Sequence, residues 1–229
     1  MLTEAEDQTL KYATNLMSHI RVMFAYLDTY KALCERHKMF HNTMIQAPVF
    51  FNVVEKSLVS SLMIDLCKLF EESPDVLSVK KLYNICEQNL KNFSKYRKKD
   101  GIETDTPSTL AQALKAVKKD FECNKEVIAN LKSQRDTLWA HHDKRWILTP
   151  SKMEEEHPIM WEEIEKLLRF ASDFSNSVIL NFTSGVEFPF FNSETACSDN
   201  VQTVLCLMEN GIEKRRVEQH PVLSQTSIR

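Results

Sequence analysis

The sequence predicts an all-α protein, on three observations. Glycine occurs only 3 times in 229 residues, against about 7% in average usage. That excludes architectures built on repeated tight turns and excludes glycine-rich phosphate loops. Apolar residues recur at three- and four-residue spacing over long stretches, the period of an amphipathic helix. Leu, Lys, Glu and Ala, all good helix formers, are abundant. The expected architecture is a four-helix bundle with a short helical insert and a C-terminal helical appendage. It forms one domain over residues 1–222, and residues 223–229 form a disordered tail.

Each element has a local reason. Over residues 3–43, Leu10, Ala13, Met17, Ile20, Phe24, Leu27 and Cys34 form one apolar stripe, so a single long helix is expected. Pro48 suits the first turn of a second helix that runs to Glu72. That helix, FFNVVEKSLVSSLMIDLCKLFEE, is apolar almost all round and is expected to lie centrally, with its serines allowing close approach. Asp65 is its anomaly, because a lone carboxylate among apolar residues needs a partner. Ser78 caps a shorter helix reaching Phe93, and five Lys/Arg follow within residues 91–99. Thr106-Pro107 opens a long helix with the stripe Leu110, Leu114, Val117, Phe121, Ile128, Leu131 and Leu138. Pro158 restarts a helix through Phe182, and Ser198 or Asp199 caps the last one.

Composition limits function. Lys+Arg 29 against Asp+Glu 32 leaves a net charge of −3, so the chain as a whole is no polyanion binder. The longest stretch without a full charge, residues 39–54, is broken by His41, Asn42, Gln46 and Pro48 and cannot span a bilayer. No signal peptide is visible, and the six dispersed cysteines read as small hydrophobes in helices, so a cytoplasmic protein without membrane partners is expected. No zinc-ligand spacing and no nucleophile elbow occurs, so neither a metal nor a cofactor is expected.

What remains is LKSQRDTLWAHHDKRW at the end of the Thr106 helix. Arg135 precedes His141 by six positions and His142 by seven, and Asp143, Lys144 and Arg145 follow. Residues 115–145 carry eight Lys/Arg against five Asp/Glu. Lys132, Lys144 and Arg145 are the candidates for weak RNA contacts. A histidine can move the proton of a ribose 2′-hydroxyl near neutral pH. A guanidinium holds a phosphate and its developing charge bidentately. Asp65 is the leading carboxylate to hold Arg135 from the second helix. The same arginine–histidine spacing occurs at Arg36–His41 and Arg215–His220, without the helix-end context.

This segment resembles the signature of the HEPN superfamily, an arginine and a polar residue followed by histidine after four to six positions. More narrowly, RDTLWAHHDK resembles the R-[DN]-K-x-x-A-H-x-D form of the bacterial abortive-infection AbiU-type HEPN domain. The second helix, the SVKKLYNIC segment after it and Trp161 also look like that family, so the resemblance covers roughly residues 5–210. It implies a four-helix HEPN bundle, often dimeric. It also implies metal-independent endoribonuclease activity in toxin–antitoxin and phage-defence settings, with RNA as substrate and an antitoxin or defence-system protein as partner. The motif falls on Arg135, Asp136, His141 and Asp143, and Thr137 departs from the family's usual lysine.

Two functional readings follow. In the first, Arg135 and His141 are catalytic, supported by Asp136, His142, Asp143 and Asp65. In the second, a non-catalytic HEPN module binds a protein partner or a nucleotide and uses Arg135 and Asp136 as structural ions; the net acidic charge favours it. The two adjacent histidines separate geometry from resemblance. A straight α-helix puts His142 within about 20° of Arg135 and His141 about 120° away, whereas the A-H-x-D ending nominates His141.

Overall fold

The computed structural model describes residues 2–73, 75–97, 109–140, 155–183 and 193–219. Among them every regular element is helical, so the all-α expectation holds. In chain order they are α1 (Glu4–Arg36), α2 (His41–Met44), α3 (Pro48–Leu69), α4 (Val79–Arg97), α5 (Thr109–Cys123) and α6 (Lys125–Gln134). A π-helical turn (Arg135–Ala140), α7 (Trp161–Phe182) and α8 (Ser193–Gln219) complete them. No described helix is long and apolar enough to cross a membrane.

Local chemistry sets the helix starts. Thr3 Oγ1 accepts the Glu6 N–H at 3.3 Å while the Glu6 carboxylate accepts the Thr3 N–H at 2.7 Å, a reciprocal cap on α1. Ser78 Oγ accepts the Lys81 N–H at 3.3 Å and caps α4, as its sequence position suggested. At α7 the Glu163 carboxylate reaches back to the Met160 N–H at 2.8 Å.

Several boundaries differ from expectation. The second helix ends at Leu69 rather than Glu72, the next reaches Arg97 rather than Phe93, and the helix after Pro158 begins at Trp161. The first helix stops at Arg36 rather than running to residue 43, because the chain turns there and buries Phe40 and Met44. The helix read as continuous from residue 106 divides at Asn124, whose side-chain Nδ2–H competes for the Asp120 carbonyl at 2.7 Å. The last helix begins at Ser193, before Ser198 and Asp199.

The chain forms two compact units, Met1–Met23 with Ser61–Phe191, and Phe24–Ser60 with Asn192–Arg229. In the first, α4, α5 and α7 pack on one another. Leu16 and Ile20 of α1, Leu62 and Leu66 of α3, Leu82 of α4, Leu110 of α5 and Leu168 of α7 are almost wholly buried. Each such side chain contributes about 1.5–3 kcal/mol by leaving water. Phe70 stacks on Phe170 at 5.8 Å, and Phe121 meets both rings edge-on. These aromatic contacts bring the end of α3 beside α5 and α7. Tyr12 ties α1 to the start of α4, its hydroxyl accepting the Ser78 N–H at 2.9 Å.

In the second unit, Ala32, Leu33, Phe40, Met44, Phe51, Val201 and Leu205 form one cluster, with Val54 and Leu58 packed against it. The expectation of a wholly central second helix needs correction here. Leu62, Met63, Leu66, Cys67 and Leu69 in its second half are buried, but Val49, Phe50 and Val53 at its start are exposed. Phe51, Val54 and Leu58 face the local core, which leaves Val49, Phe50 and Val53 turned away from it.

Candidate functional site

Leu131 of α6 is fully buried, and its carbonyl accepts the Cys67 S–H of α3 at 3.4 Å. Four residues further on each segment, Arg135 Nη1 donates to Glu71 Oε1 at 2.5 Å. The two segments therefore advance in the same direction, and the buried contact sets the register of the charged one. Arg135 Nε also donates to Asp136 Oδ1 at 2.7 Å. The Arg135 side chain is 20% exposed and that of Glu71 27% exposed. The guanidinium is thus half-buried and held by two carboxylates, which push its pKa further above its ordinary value, Asp136 more than Glu71. It is a permanent cation.

From Arg135 onward the helix widens into a π turn, a feature often found at functional sites. Thr137 contributes to the change. Its hydroxyl donates to the Ser133 carbonyl at 2.6 Å, the acceptor that an α-helical Thr137 N–H would use. Gln134 Nε2 donates to the His157 carbonyl at 2.6 Å, and Asn130 Nδ2 to the Pro158 carbonyl at 3.1 Å. The entry to α7 is thereby pinned along α6 just before the motif.

Asp65 does not hold Arg135. It pairs with Lys68 at 3.0 Å. The reason is angular. Asp65 lies two residues before Cys67, about 200° round the helix from the face that meets α6, whereas Glu71 lies just past the end of α3, in a tighter turn whose N–H bonds three residues back to the Lys68 carbonyl at 3.1 Å. Glu71 is the carboxylate that sequence reading missed; its only signal was the Glu71-Glu72 pair just past the helix end. Lys132 sits one turn before Arg135 and is half-buried. His141, His142, Asp143, Lys144 and Arg145 lie outside the described residues. Lys91 is exposed, and the rest of its basic run lies outside the residues whose side chains are described.

Burial pushes the Cys67 thiol up to about 12, against the opposing pull of Arg135, so it stays neutral beneath the site. Among the described residues no group of His, Cys, Asp or Glu is placed to hold a metal ion. The second arginine with the motif spacing has a different environment. Arg36 donates to Gln202 Oε1 at 2.7 Å and Ser198 Oγ at 2.8 Å, tying α1 to α8 within the second unit.

The HEPN_AbiU2 family model, described as AbiU2, matches residues 7–196. The chain belongs to the AbiU2 family of HEPN domains. It is thus a HEPN-type protein of the abortive-infection or toxin-like kind. The AbiU2 match takes in α1 almost from its start and stops four residues into α8, so most of α8 lies beyond it. Glu71, Asp136 and Arg135 all fall inside it. No curated protein and no solved structure matches the chain.

Proposed function

We propose that this AbiU2-family protein is a metal-independent endoribonuclease of a toxin or phage-defence system. The observation that carries the reading is Arg135 itself. It is a permanent cation, fixed at the first residue of a π turn, with His141 of the A-H-x-D ending six positions on. His141 takes the proton from a ribose 2′-hydroxyl, and the 2′-oxygen attacks phosphorus. The bond to the 5′-oxygen breaks, and that oxygen takes up a proton. The products are a 2′,3′-cyclic phosphate and a 5′-hydroxyl. Arg135 balances the charge developing on the phosphate. A second copy of the chain, related by a two-fold axis, supplies the complementary Arg135–His141 pair, so the working form is a dimer.

One observation favours the second reading. Both carboxylates at Arg135 already neutralise its charge, as they would in a module that binds a protein partner or a nucleotide without cutting RNA. Expression of the wild type and His141→Ala in cells, with growth and RNA integrity followed, separates the two. Slowed growth with cleaved RNA in the wild type alone supports the ribonuclease. Equal growth and intact RNA in both support the binding module. A monomer by light scattering at micromolar concentration removes the dimer.

A further inference from the structure

We infer that Glu71 is a positioning residue, orienting the Arg135 guanidinium for a scissile phosphate; the inference rests on the ribonuclease reading above. Guanidinium carries five N–H donors. Asp136 takes the Nε one and Glu71 takes one at Nη1. Both donors of Nη2 and the second of Nη1 have no partner among the described residues, and they leave a fork suited to two oxygens of one phosphate.

The two carboxylates are not equivalent. Asp136 is the next residue in the same π turn and moves with it, and its side chain is 54% exposed. Glu71 lies just past the end of α3, four residues after Cys67, whose buried contact with Leu131 sets the register. Only Glu71 therefore refers the guanidinium to the packed interior. Its charge also has an opposite effect on binding, because a carboxylate beside the fork repels the RNA backbone. A positioning role predicts a split between turnover and affinity that simple loss of structure does not produce.

The test is steady-state cleavage of a labelled, mixed-sequence single-stranded RNA by wild type, Glu71→Gln, Glu71→Asp and Glu71→Ala, each also combined with Arg135→Lys. Circular dichroism checks each fold, and if Glu71→Ala does not fold, the isosteric Glu71→Gln carries the result. The expected outcome is a fall in kcat of up to about 10²-fold, the order of loss for a group misplaced by about 1 Å. KM stays level or falls for Glu71→Gln and Glu71→Ala. Glu71→Asp recovers part of kcat, and the Glu71 substitutions have no further effect in the Arg135→Lys background. Folded Glu71 variants that cut like wild type overturn the inference and leave the ribonuclease reading standing. So does a Glu71 effect of equal size with and without Arg135. A wild type that cuts no RNA overturns the ribonuclease reading and the inference together.

Discussion

Glu71 and Arg135 meet four residues beyond Cys67 and Leu131, and both pairs are 64 positions apart in the chain. The buried thiol–carbonyl contact and the half-buried ion pair are therefore successive contacts of one interface between the end of α3 and the end of α6. Packing fixes the first, and electrostatics follows from it.

That register makes a prediction that separates two carboxylates on one helix. Glu71→Ala leaves the Arg135 guanidinium with only Asp136, and hydrogen bonds to charged groups contribute about 1.5–3 kcal/mol when buried. Discounted for solvent screening at this partly exposed pair, a loss of about 1–2 kcal/mol is expected in urea unfolding. Asp65→Ala loses only the pair with Lys68, and should stay within about 0.5 kcal/mol of wild type.

Activity is expected to depend on His141 and not on His142. The α-helical angles that favour His142 hold only to Gln134, because the turn from Arg135 is π-wound. His141→Ala should lower RNA cleavage by about 10²–10⁴-fold, the usual contribution of a general acid or base. His142→Ala should leave it near wild type. The reverse pattern in purified variants assigns the role to His142.

Tyr12→Phe should destabilise the fold without touching the site. The phenol accepts the Ser78 N–H at 2.9 Å and donates to the Ser78 carbonyl at 3.3 Å, and Ser78 is fully buried. Deleting the hydroxyl strands the N–H, at a cost of about 1–3 kcal/mol. A lowered urea midpoint with unchanged slope is the expected reading.

Alkaline pH should weaken the fold through its buried thiols. Burial pushes both Cys67 and Cys86 up to about 12, from an ordinary value of 9.0. A raised pKa means that the folded state keeps its proton where the unfolded chain has lost it. Their contribution is fully present below pH 9 and is lost as pH rises from 9 toward 12. Stability measured in urea from pH 7.5 to 10.5 should fall, and Cys86→Ala should reduce the steepness of that fall. In the native state an alkylating reagent should modify exposed Cys34 and Cys123 well before Cys67 and Cys86.

The sequence by itself determined the helical class, the cap at Ser78 and the segment that bears the chemistry. All of these rest on interactions within three or four residues, or on a periodicity that a linear chain displays. It also indicated family membership, because RDTLWAHHDK and the apolar run before Glu71 are local strings. Only the tertiary structure decided which carboxylate holds Arg135. Asp65 stood out because it interrupts an apolar run, but the partner of Arg135 depends on which side of α3 meets α6. That side is set by the burial of Cys67 and Leu131, 64 residues apart. The exposure of Val49, Phe50 and Val53 was hidden for the same reason. Periodicity says that a helix is apolar all round, but only the packing of Phe51, Val54 and Leu58 decides which of its sides is covered.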